Sequence, residues 1–383
     1  MHSKNQMRDL KVLVQKVYGS PLHYGNECKR LSDSILKHSN EYISYQTLRR
    51  FFGFIKTTQP ATIHTLNILS RYCGYNNYED YLAQISKEKS NETDFVKLIF
   101  TIPLRKELDQ NFHAVCRRVA EVLYNNLELF YSNRTFLAKS SNGQVFFYER
   151  YAFFDYLNKD GYRIGLSEYQ KYKNNIGADV YVKTLFLFGD YLKGDKIKEI
   201  KISSKESVED LHHNLQARLL GIRILLKKEN LKSLIQNIND SLKHLSKINT
   251  DEEKIKIVFP KFIICEHLLL VGAYEEIYEI IQMTQNYMPR EKTVSLNATG
   301  LVELFWLFEC ICLFKMGKVN EAISNFNIFN SLLIDFNVQK YYTIWYLILK
   351  EQLVGISKTD QQQMNDLIAE TKFYKMKEIY KNF

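Results

Sequence analysis

Apolar residues recur every three or four positions along most of the chain, a spacing that places them on one face of an α-helix. Near the N-terminus this pattern predicts a first helix over residues 1–18 and a second over Glu27–His38. Two further helices are expected to begin at N-cap residues, whose side-chain oxygens accept hydrogen bonds from the first turn, and to end at glycines. The caps and stops of these helices are Ser44 with Gly53 and Thr62 with Gly74.

A polar stretch separates this N-terminal region from the rest of the chain. A short fifth helix is predicted over Tyr78–Ile85, and the run Lys-Glu-Lys-Ser-Asn-Glu follows it at 87–92. A run without an apolar side chain is typical of a linker. We therefore predict a first domain over residues 1–86 and a second over residues 93–383.

The second domain alternates helical patterns with short turns. The turns are spaced by roughly 33 to 45 residues, which is typical of one helical hairpin per structural unit. Each hairpin would bury its apolar stripe against the next, as in a helical repeat array. The predicted turns are Asn158–Gly161, Lys193–Asp195, Lys227–Asn230, Val271–Ala273 and Met316–Lys318.

The last two hairpins are similar in sequence at an offset of 45 residues. A tight turn after a glycine would let the chain fold back at once in both of them. An irregular α-helical bundle is the alternative to a repeat array, and the pattern leaves both open. The equivalent positions are Cys265 with Cys310, Leu268 with Leu313, and Gly272 with Gly317.

Composition favours helices over strands. The chain has only 5 Pro and 15 Gly in 383 residues, whereas β-sandwiches and doubly wound folds need frequent turn residues. Its 26 Tyr and 24 Phe recur at helical spacings, as in Tyr148, Tyr151 and Phe154, and are expected to fill a helical core. The predicted fold class is all-α. Whether the aromatic stretch Phe146–Tyr172 is wholly buried or forms a recognition groove stays open.

Positive charge is concentrated near the N-terminus. The whole chain has a net charge of +9, and residues 1–90 hold 13 Lys and Arg against 7 Asp and Glu, a net charge of +6. A local basic excess indicates a polyanionic partner such as nucleic acid. The alternative is that these lysines only solvate helix surfaces.

The cysteines and the hydropathy pattern indicate a reducing compartment. The 6 Cys are scattered without a CxxC pair, and the N-terminus shows no apolar signal core. No uncharged apolar run is long enough to span a bilayer. We therefore expect a cytoplasmic protein with buried thiols and no contact with a membrane.

Sequence motifs for catalysis and for metal or nucleotide binding are absent from the chain. It has no HExxH motif, no Cys and His at zinc-ligand spacing, and no GxxxxGK[ST], GxGxxG or GxSxG motif. The adjacent pair His212-His213 points to different faces of a helix and is unsuited to holding one metal ion. We expect no enzymatic activity, no cofactor and no metal site.

Three short motifs in the first domain have a recognisable order. The motifs are Leu31-Ser32-x-x-Ile35, Ile43-Ser44-x-x-Thr47-Leu48-Arg49-Arg50-Phe51-Phe52-Gly53, and Pro60 followed by Thr65-Leu66-x-x-Leu69-Ser70-x-x-x-Gly74-Tyr75. Together they resemble the Cro/repressor-type (XRE-like) helix-turn-helix domain, over about 50 residues. The connection over Lys37–Tyr42 departs from that family, because it is expected to be longer than the usual turn and lacks its glycine.

This resemblance implies a recognition helix that begins after Ser44 and enters the major groove of double-stranded DNA. Gln pairs with adenine and Arg with guanine, whereas cations around the helix contact phosphates. Alternatively, Arg49 and Arg50 are merely solvated and Tyr45 belongs to the core. The residues expected near bases are Ser44, Tyr45, Gln46 and Arg49, and those expected near phosphates are Arg50, Lys56, Arg30 and Lys37.

The segment Leu313-Phe314-x-x-Gly317-x-x-x-Glu321-Ala322-Ile323-x-x-Phe326 resembles a tetratricopeptide repeat. A helix-turn-helix domain followed by such repeats is similar to the peptide-sensing transcription regulators. This resemblance implies a DNA-binding regulator whose repeat domain binds a peptide or protein partner or drives homodimer formation. The alternative is a non-enzymatic protein–protein interaction scaffold, related to stress or defence, whose N-terminal helices are an adaptor.

Overall fold

A computed structural model describes residues 4–57, 60–101, 110–200, 211–243, 251–285 and 296–383. All regular structure in these ranges is helical, so the predicted all-α fold class is confirmed. The chain divides into two compact units, Met1–Phe95 and Val96–Phe383, each with its own hydrophobic core. In the ranges given, no helix has both the length and the apolar character needed to cross a bilayer.

The first unit is built from short amphipathic helices around one core. Helices α3 and α4 pack on α2, and α4 also packs on α1. The helices are α1 (Lys4–Tyr18), α2 (Glu27–Ser39), α3 (Tyr45–Phe52), α4 (Ile63–Tyr72) and α5 (Tyr78–Thr101), within which the division between the units falls. Each contributes fully or almost fully buried apolar side chains, among them Leu10, Leu31, Leu48, Leu69 and Tyr81.

The predicted caps and stops of α3 and α4 are confirmed. The side-chain oxygens of Ser44 and Thr62 accept hydrogen bonds from the N–H three residues later, at 3.2 and 3.3 Å. Gly53 and Gly74 follow the ends of these helices with φ of 90° and 92°, a conformation that residues with a Cβ rarely adopt. These four residues set the limits of both helices.

The connection between α2 and α3 is shorter than expected. The prediction that it begins at Lys37 was wrong, because α2 continues to Ser39 and the connection runs over residues 40–44. Asn40 has a φ of 55° and takes the left-handed conformation that glycine most often adopts at a helix end. The Ser32 hydroxyl, buried on α2, donates a hydrogen bond of 2.5 Å to the carbonyl of Ile43 and fastens the end of the connection.

The predicted linker at 87–92 is also wrong, because the backbone there is helical. Helix α5 does not end near Ile85 but continues over the polar run to Thr101. Lys, Glu and Ser interrupt the apolar pattern without breaking a helix, since Lys and Glu are good helix formers. Polarity alone was therefore a poor signal for a loop.

The second unit is a succession of helices joined mostly by short turns. The five predicted turns all fall at connections between helices, although α9 already begins inside the first of them. Its helices are α6 (Gln110–Asn125), α7 (Leu127–Lys139), α8 (Ser141–Gly143), α9 (Asp160–Lys173), α10 (Ile176–Lys193), α11 (His213–Leu225), α12 (Leu231–Lys243), α13 (Asp251–Val271), α14 (Tyr274–Thr284), α15 (Leu296–Lys315), α16 (Val319–Ile328), α17 (Gln339–Val354), α18 (Lys358–Thr371) and α19 (Lys375–Asn382).

The two glycine turns that the sequence equated have the same backbone geometry. Gly272 and Gly317 have φ of 76° and 80°. In each turn the next residue donates its N–H to the carbonyl five positions earlier, at 3.1 and 2.8 Å. Gly194, at the end of α10, repeats the arrangement with a φ of 94° and a hydrogen bond of 2.9 Å. This hydrogen-bond pattern ends a helix tightly and lets the next one fold back.

The aromatic stretch departs from the predicted α-helix. Gln144–Glu149 is a π-helix, the backbone then leaves the helix, and Phe154–Tyr156 is a 3-10 turn. The Phe153 ring stacks on the Tyr162 ring at a centroid distance of 5.4 Å, and the Phe153 N–H donates to the Tyr162 hydroxyl at 2.8 Å. Tertiary packing of the large rings therefore overrides the helical spacing of the sequence.

Asp155, which is fully buried, ties this irregular stretch to α17. Its carboxylate accepts hydrogen bonds from the Tyr124 hydroxyl at 2.6 Å and from the N–H groups of Lys340 and Tyr341, both at 2.9 Å. These two N–H groups belong to the first turn of α17, where helices lack internal acceptors and favour negative charge. Burial raises the pKa of Asp155 to about 7, and the three donors limit the rise.

Candidate nucleic-acid interface and ligand cavity

Helix α3 has one buried side and one solvent-facing side within the first unit. Leu48 and Phe51 are buried in the core, three positions apart on the same face. Arg50 and Tyr45 are exposed and Gln46 is half-buried. The exposure of Tyr45 excludes the alternative that this ring belongs to the core. The solvent-facing side therefore offers an amide, a phenol and a guanidinium.

The other predicted DNA contacts lie on α2 and after α3. Arg30 and Lys37 are both exposed on α2, seven residues apart, a spacing that puts them on one face. Lys56 is exposed shortly after α3. Ser44 is half-buried, and its hydroxyl is engaged with the backbone N–H and the side chain of Thr47. The structure thus gives Ser44 a capping role.

Arg49 differs from its neighbour Arg50. Its Nε is buried and has no hydrogen-bond partner among the described residues. A Cβ added to Gly25 would lie 2.8 Å from that Nε, so the guanidinium packs closely on the turn before α2. Burial raises the pKa of the Cys28 thiol, and the charge of Arg49 limits this rise. Arg49 is therefore partly a packing residue, whereas Arg50 is free to extend outward.

Two polar contacts around α3 were not foreseen. The Gln46 Nε2 donates to the Tyr45 hydroxyl at 2.9 Å, which aligns the two side chains at the start of the helix. Arg71 of α4 donates two hydrogen bonds, of 2.6 and 2.7 Å, to Glu41 in the α2–α3 connection. This bidentate pair lowers the pKa of Glu41 and fixes the connection to α4. The pair joins residues 30 positions apart, and no local sequence signal marks it.

The second unit contains a cavity of about 850 Å³, a volume typical of small-molecule sites. Its wall is formed by the π-helix, α9, α10, α11, α13, α15, the segment before α17 and the start of α17. Part of the aromatic stretch thus belongs to the core and part to the cavity wall, which answers the question left open by the sequence. Apolar lining residues include Phe146, Phe154, Tyr181, Phe262, Leu304 and Tyr342.

Arg218 is the most unusual residue in this wall. Its side chain is buried, with 8% of the residue exposed. The guanidinium lies over the rings of Phe154 and Tyr181, at 5.2 and 5.6 Å from their centroids. In the part of the chain that the structure describes, no carboxylate lies within ion-pair distance of it. The sequence did not identify Arg218 as a site residue, because the rings of Phe154 and Tyr181 that hold it are distant along the chain.

Three other charged residues of the wall are paired. Lys173 forms an ion pair with Glu149, which also accepts a hydrogen bond of 2.7 Å from the Tyr169 hydroxyl. Asp335 accepts a hydrogen bond of 2.7 Å from Arg117. Burial raises the pKa of Asp335, and Arg117 limits the rise. Within each pair the two charges compensate each other. Arg218 has no such carboxylate partner among the described residues.

Glu266 and His267 are adjacent buried groups on α13, and Glu266 lines the cavity. The Tyr342 hydroxyl donates a hydrogen bond to Glu266, and burial raises the pKa of this carboxyl to about 7. The His267 ring lies with Nδ1 2.7 Å from the carbonyl oxygen of Ile263, and burial lowers its pKa to about 4. The fold therefore favours the neutral form of both groups.

Replacing Glu266 by Gln should flatten the dependence of stability on pH. Because the folded-state pKa of about 7 exceeds the ordinary 4.5, the stabilisation is present below pH 4.5 and is lost as pH rises through 7. Between pH 5 and pH 8 the variant should lose less unfolding free energy than the wild type, by about 2 kcal/mol. His267 and Asp155 titrate in both the wild type and the variant. The difference between the two pH profiles of unfolding free energy, measured by chemical denaturation, therefore reports on Glu266 alone. Parallel pH profiles would contradict the assignment.

The predicted burial of thiols is confirmed for five of the six cysteines, and all six are free. Cys73 is half-buried, which corrects the expectation for that residue. Among the described residues, no group of three or more His, Cys, Asp or Glu is placed to hold a metal ion.

Comparisons with known proteins add no template for either site: no protein-family model, no curated protein and no solved structure matches this chain. What the α3 surface and the cavity can bind must therefore be argued from their own side chains, exposure and charge.

Proposed function

We propose that the chain is a DNA-binding regulator whose first unit places α3 on a duplex and whose second unit senses a peptide, protein or smaller ligand. The observation that carries the proposal is the two-sided character of α3. Its apolar side is buried, its start is capped, and its outer side presents Gln46 and Arg50, while Arg30 and Lys37 are exposed cations on the neighbouring helix α2. Recognition helices dock on the major groove through such an outer side.

Each side chain has a distinct expected role in this docking. Gln46, near the start of α3, would pair with adenine through its amide, with Tyr45 holding it by their hydrogen bond. Arg50, Arg30, Lys37 and Lys56 would contact phosphates and fix the register without reading sequence. A homodimer would place two such units on two half-sites. A regulator of this kind would work in the cytoplasm, where free thiols such as those of this chain persist.

The scaffold alternative has its own supporting observation. Several large apolar side chains of the first unit are exposed, including Val12 (58%), Tyr42 (65%) and Ile63 (52%). Exposed apolar residues mark a protein contact where they form one contiguous patch. On this alternative the first unit is an adaptor that docks on a protein, and the chain is a non-enzymatic scaffold. The α2–α3 connection, at residues 40–44, also lacks the glycine of the helix-turn-helix family that the sequence resembles.

The proposal predicts saturable, salt-dependent binding of the full chain to duplexes selected from a random library. Gln46→Ala should relax the preference at one base pair, by about tenfold to a hundredfold. Arg50→Ala should weaken binding to all duplexes and lower the slope of log affinity against log salt by about one. Titrations of labelled duplex at several salt concentrations measure both effects.

Lys16→Ala is the matched control, because Lys16 is an exposed cation at the end of α1, outside the α2–α3 surface. It should bind like the wild type. Absence of saturable binding at low salt would reject the DNA-binding function and favour the scaffold. Equal losses in Lys16→Ala and Arg50→Ala would show that charge alone, and not α3, governs the binding.

A further inference from the structure

We propose that the cavity of the second unit binds an organic carboxylate with an apolar body, and that Arg218 anchors the carboxylate group. The inference deepens the sensing role proposed above for the second unit. Its test uses no DNA, so the failure of either proposal can be told from the failure of the other.

Arg218 places a positive charge in the buried wall of the cavity. Arg218 is buried, with 8% of the residue exposed, and a buried cation is costly unless a charged or polar group satisfies it. Phe154 and Tyr181 hold the Arg218 guanidinium through their ring faces, at 5.2 and 5.6 Å. Ring faces stabilise the cation but accept no directional hydrogen bond from its N–H groups. The N–H donors of Arg218 are therefore available to a ligand in the cavity.

Two neighbouring charges in the wall already have partners. Lys173 and Asp335 each have an ion-pair partner of opposite charge. Arg150 also lines the cavity, but it is exposed, and its charge acts on Asp335. Arg218 alone combines a buried position in the wall with the lack of a carboxylate partner among the described residues. A ligand anion is the missing counter-charge.

The charges of the wall also limit the charge of the ligand. A guanidinium binds a carboxylate through two parallel N–H···O bonds. A phosphate monoester would bring a charge of about −1.5 to −2 at neutral pH. Arg218 offers one positive charge, and the neighbouring Lys173 is already paired with Glu149, so the described wall matches a monoanion better than a dianion.

The rest of the cavity fits the apolar body of such a ligand. Leu215, Leu304 and Phe262 line it together with the aromatic rings described above. A volume of about 850 Å³ accommodates a medium-chain acid or the end of a short apolar peptide. Both sources present the same chemistry to Arg218, namely one carboxylate next to hydrocarbon.

Calorimetric titration of the full chain with matched ligand pairs tests the proposal. One pair is decanoate and decanol, and the other is a short apolar peptide with a free C-terminal carboxylate and its C-terminal amide. In at least one pair the acid should bind about tenfold tighter or more, as expected for a hydrogen-bonded ion pair. The pair that shows the preference identifies the source of the carboxylate. Equal affinities within both pairs would overturn the proposal.

Variants assign the preference to Arg218. Arg218→Met removes the charge, keeps the apolar stem between the rings and should abolish the preference for the acid. Arg223→Met, on the same helix but paired with Glu229 outside the cavity, should keep it. Leu215→Trp should fill the cavity and weaken the binding of acid and neutral ligand alike.

A retained preference in Arg218→Met would overturn the role of this residue. Should that variant fail to fold, Arg218→Lys replaces it, because it keeps the charge and loses the two-pronged geometry. The lysine variant should bind the acid more weakly than the wild type, and unchanged affinity would equally overturn the proposal. The thermal unfolding of every variant is measured beside the titrations.

Discussion

Replacing Asp155 by Ala is expected to lower the unfolding free energy of the second unit by about 4 kcal/mol. The change leaves the Tyr124 hydroxyl and the N–H groups of Lys340 and Tyr341 without their acceptor. An unsatisfied buried donor costs about 1–3 kcal/mol, and α17 would also lose the negative charge at its start. The loss should separate the 3-10 turn at Phe154–Tyr156 from α17.

Chemical denaturation followed by tryptophan fluorescence measures this loss. Both Trp of the chain, Trp306 and Trp345, lie in the second unit, and Trp345 is fully buried. Asp155→Asn is the matched control, because the amide keeps one acceptor oxygen and the shape of the side chain. It should lose clearly less stability than the alanine variant. Equal stability of all three proteins would show that the carboxylate does not join these elements.

Replacing Gly221 by Ala is the second large expected loss, about 3 kcal/mol in the unfolding free energy of the second unit. Gly221 lies in α11, and a Cβ there would approach three ring atoms of His267 on α13 to 2.6 Å. The ring has little room to move, since it packs on Phe188 at 4.9 Å and lies within hydrogen-bond distance of the Ile263 carbonyl. Glycine is therefore what lets α11 and α13 approach so closely.

Gly177→Ala in α10 tests whether this loss is steric. A Cβ at Gly177 meets its nearest atoms at 3.5 Å, which is ordinary van der Waals contact. Since Ala is favoured over Gly in helices by up to about 1 kcal/mol, this variant should be as stable as the wild type or slightly more so. The same fluorescence assay applies to both variants. A Gly221→Ala protein as stable as Gly177→Ala would refute the close approach of α11 and α13.

Local signals predicted the parts of the fold that local chemistry determines. Ser44 and Gly53 were placed correctly because capping and left-handed glycine depend only on neighbouring residues. The end of α2 before Asn40 and the polar run at 87–92 were predicted wrongly, although their chemistry is also local. Asn can replace Gly in the left-handed region, and Lys and Glu do not end a helix.

The cavity and its anchor could not be predicted in this way. Arg218 is buried by the rings of residues 154 and 181. The hydrogen bonds of the Asp155 carboxylate connect segments about 185 residues apart. Such pairs are created by tertiary packing, and the π-helix before them has no reliable sequence pattern. For α3 the sequence predicted a polar outer side, but it gave no sign that Arg49 packs on the turn at Gly25 while Arg50 extends outward.

The most direct test of the account is photocrosslinking from the outer side of α3. A photoreactive benzoylphenylalanine replaces Gln46 in the full chain, and the same residue replaces Glu79, exposed on α5, as the control. After irradiation with a selected duplex, we predict crosslinks from position 46 to bases in the major groove and none from position 79. A duplex that binds but crosslinks only from position 79, or a chain that retains no duplex at low salt, would contradict a DNA-reading role for α3.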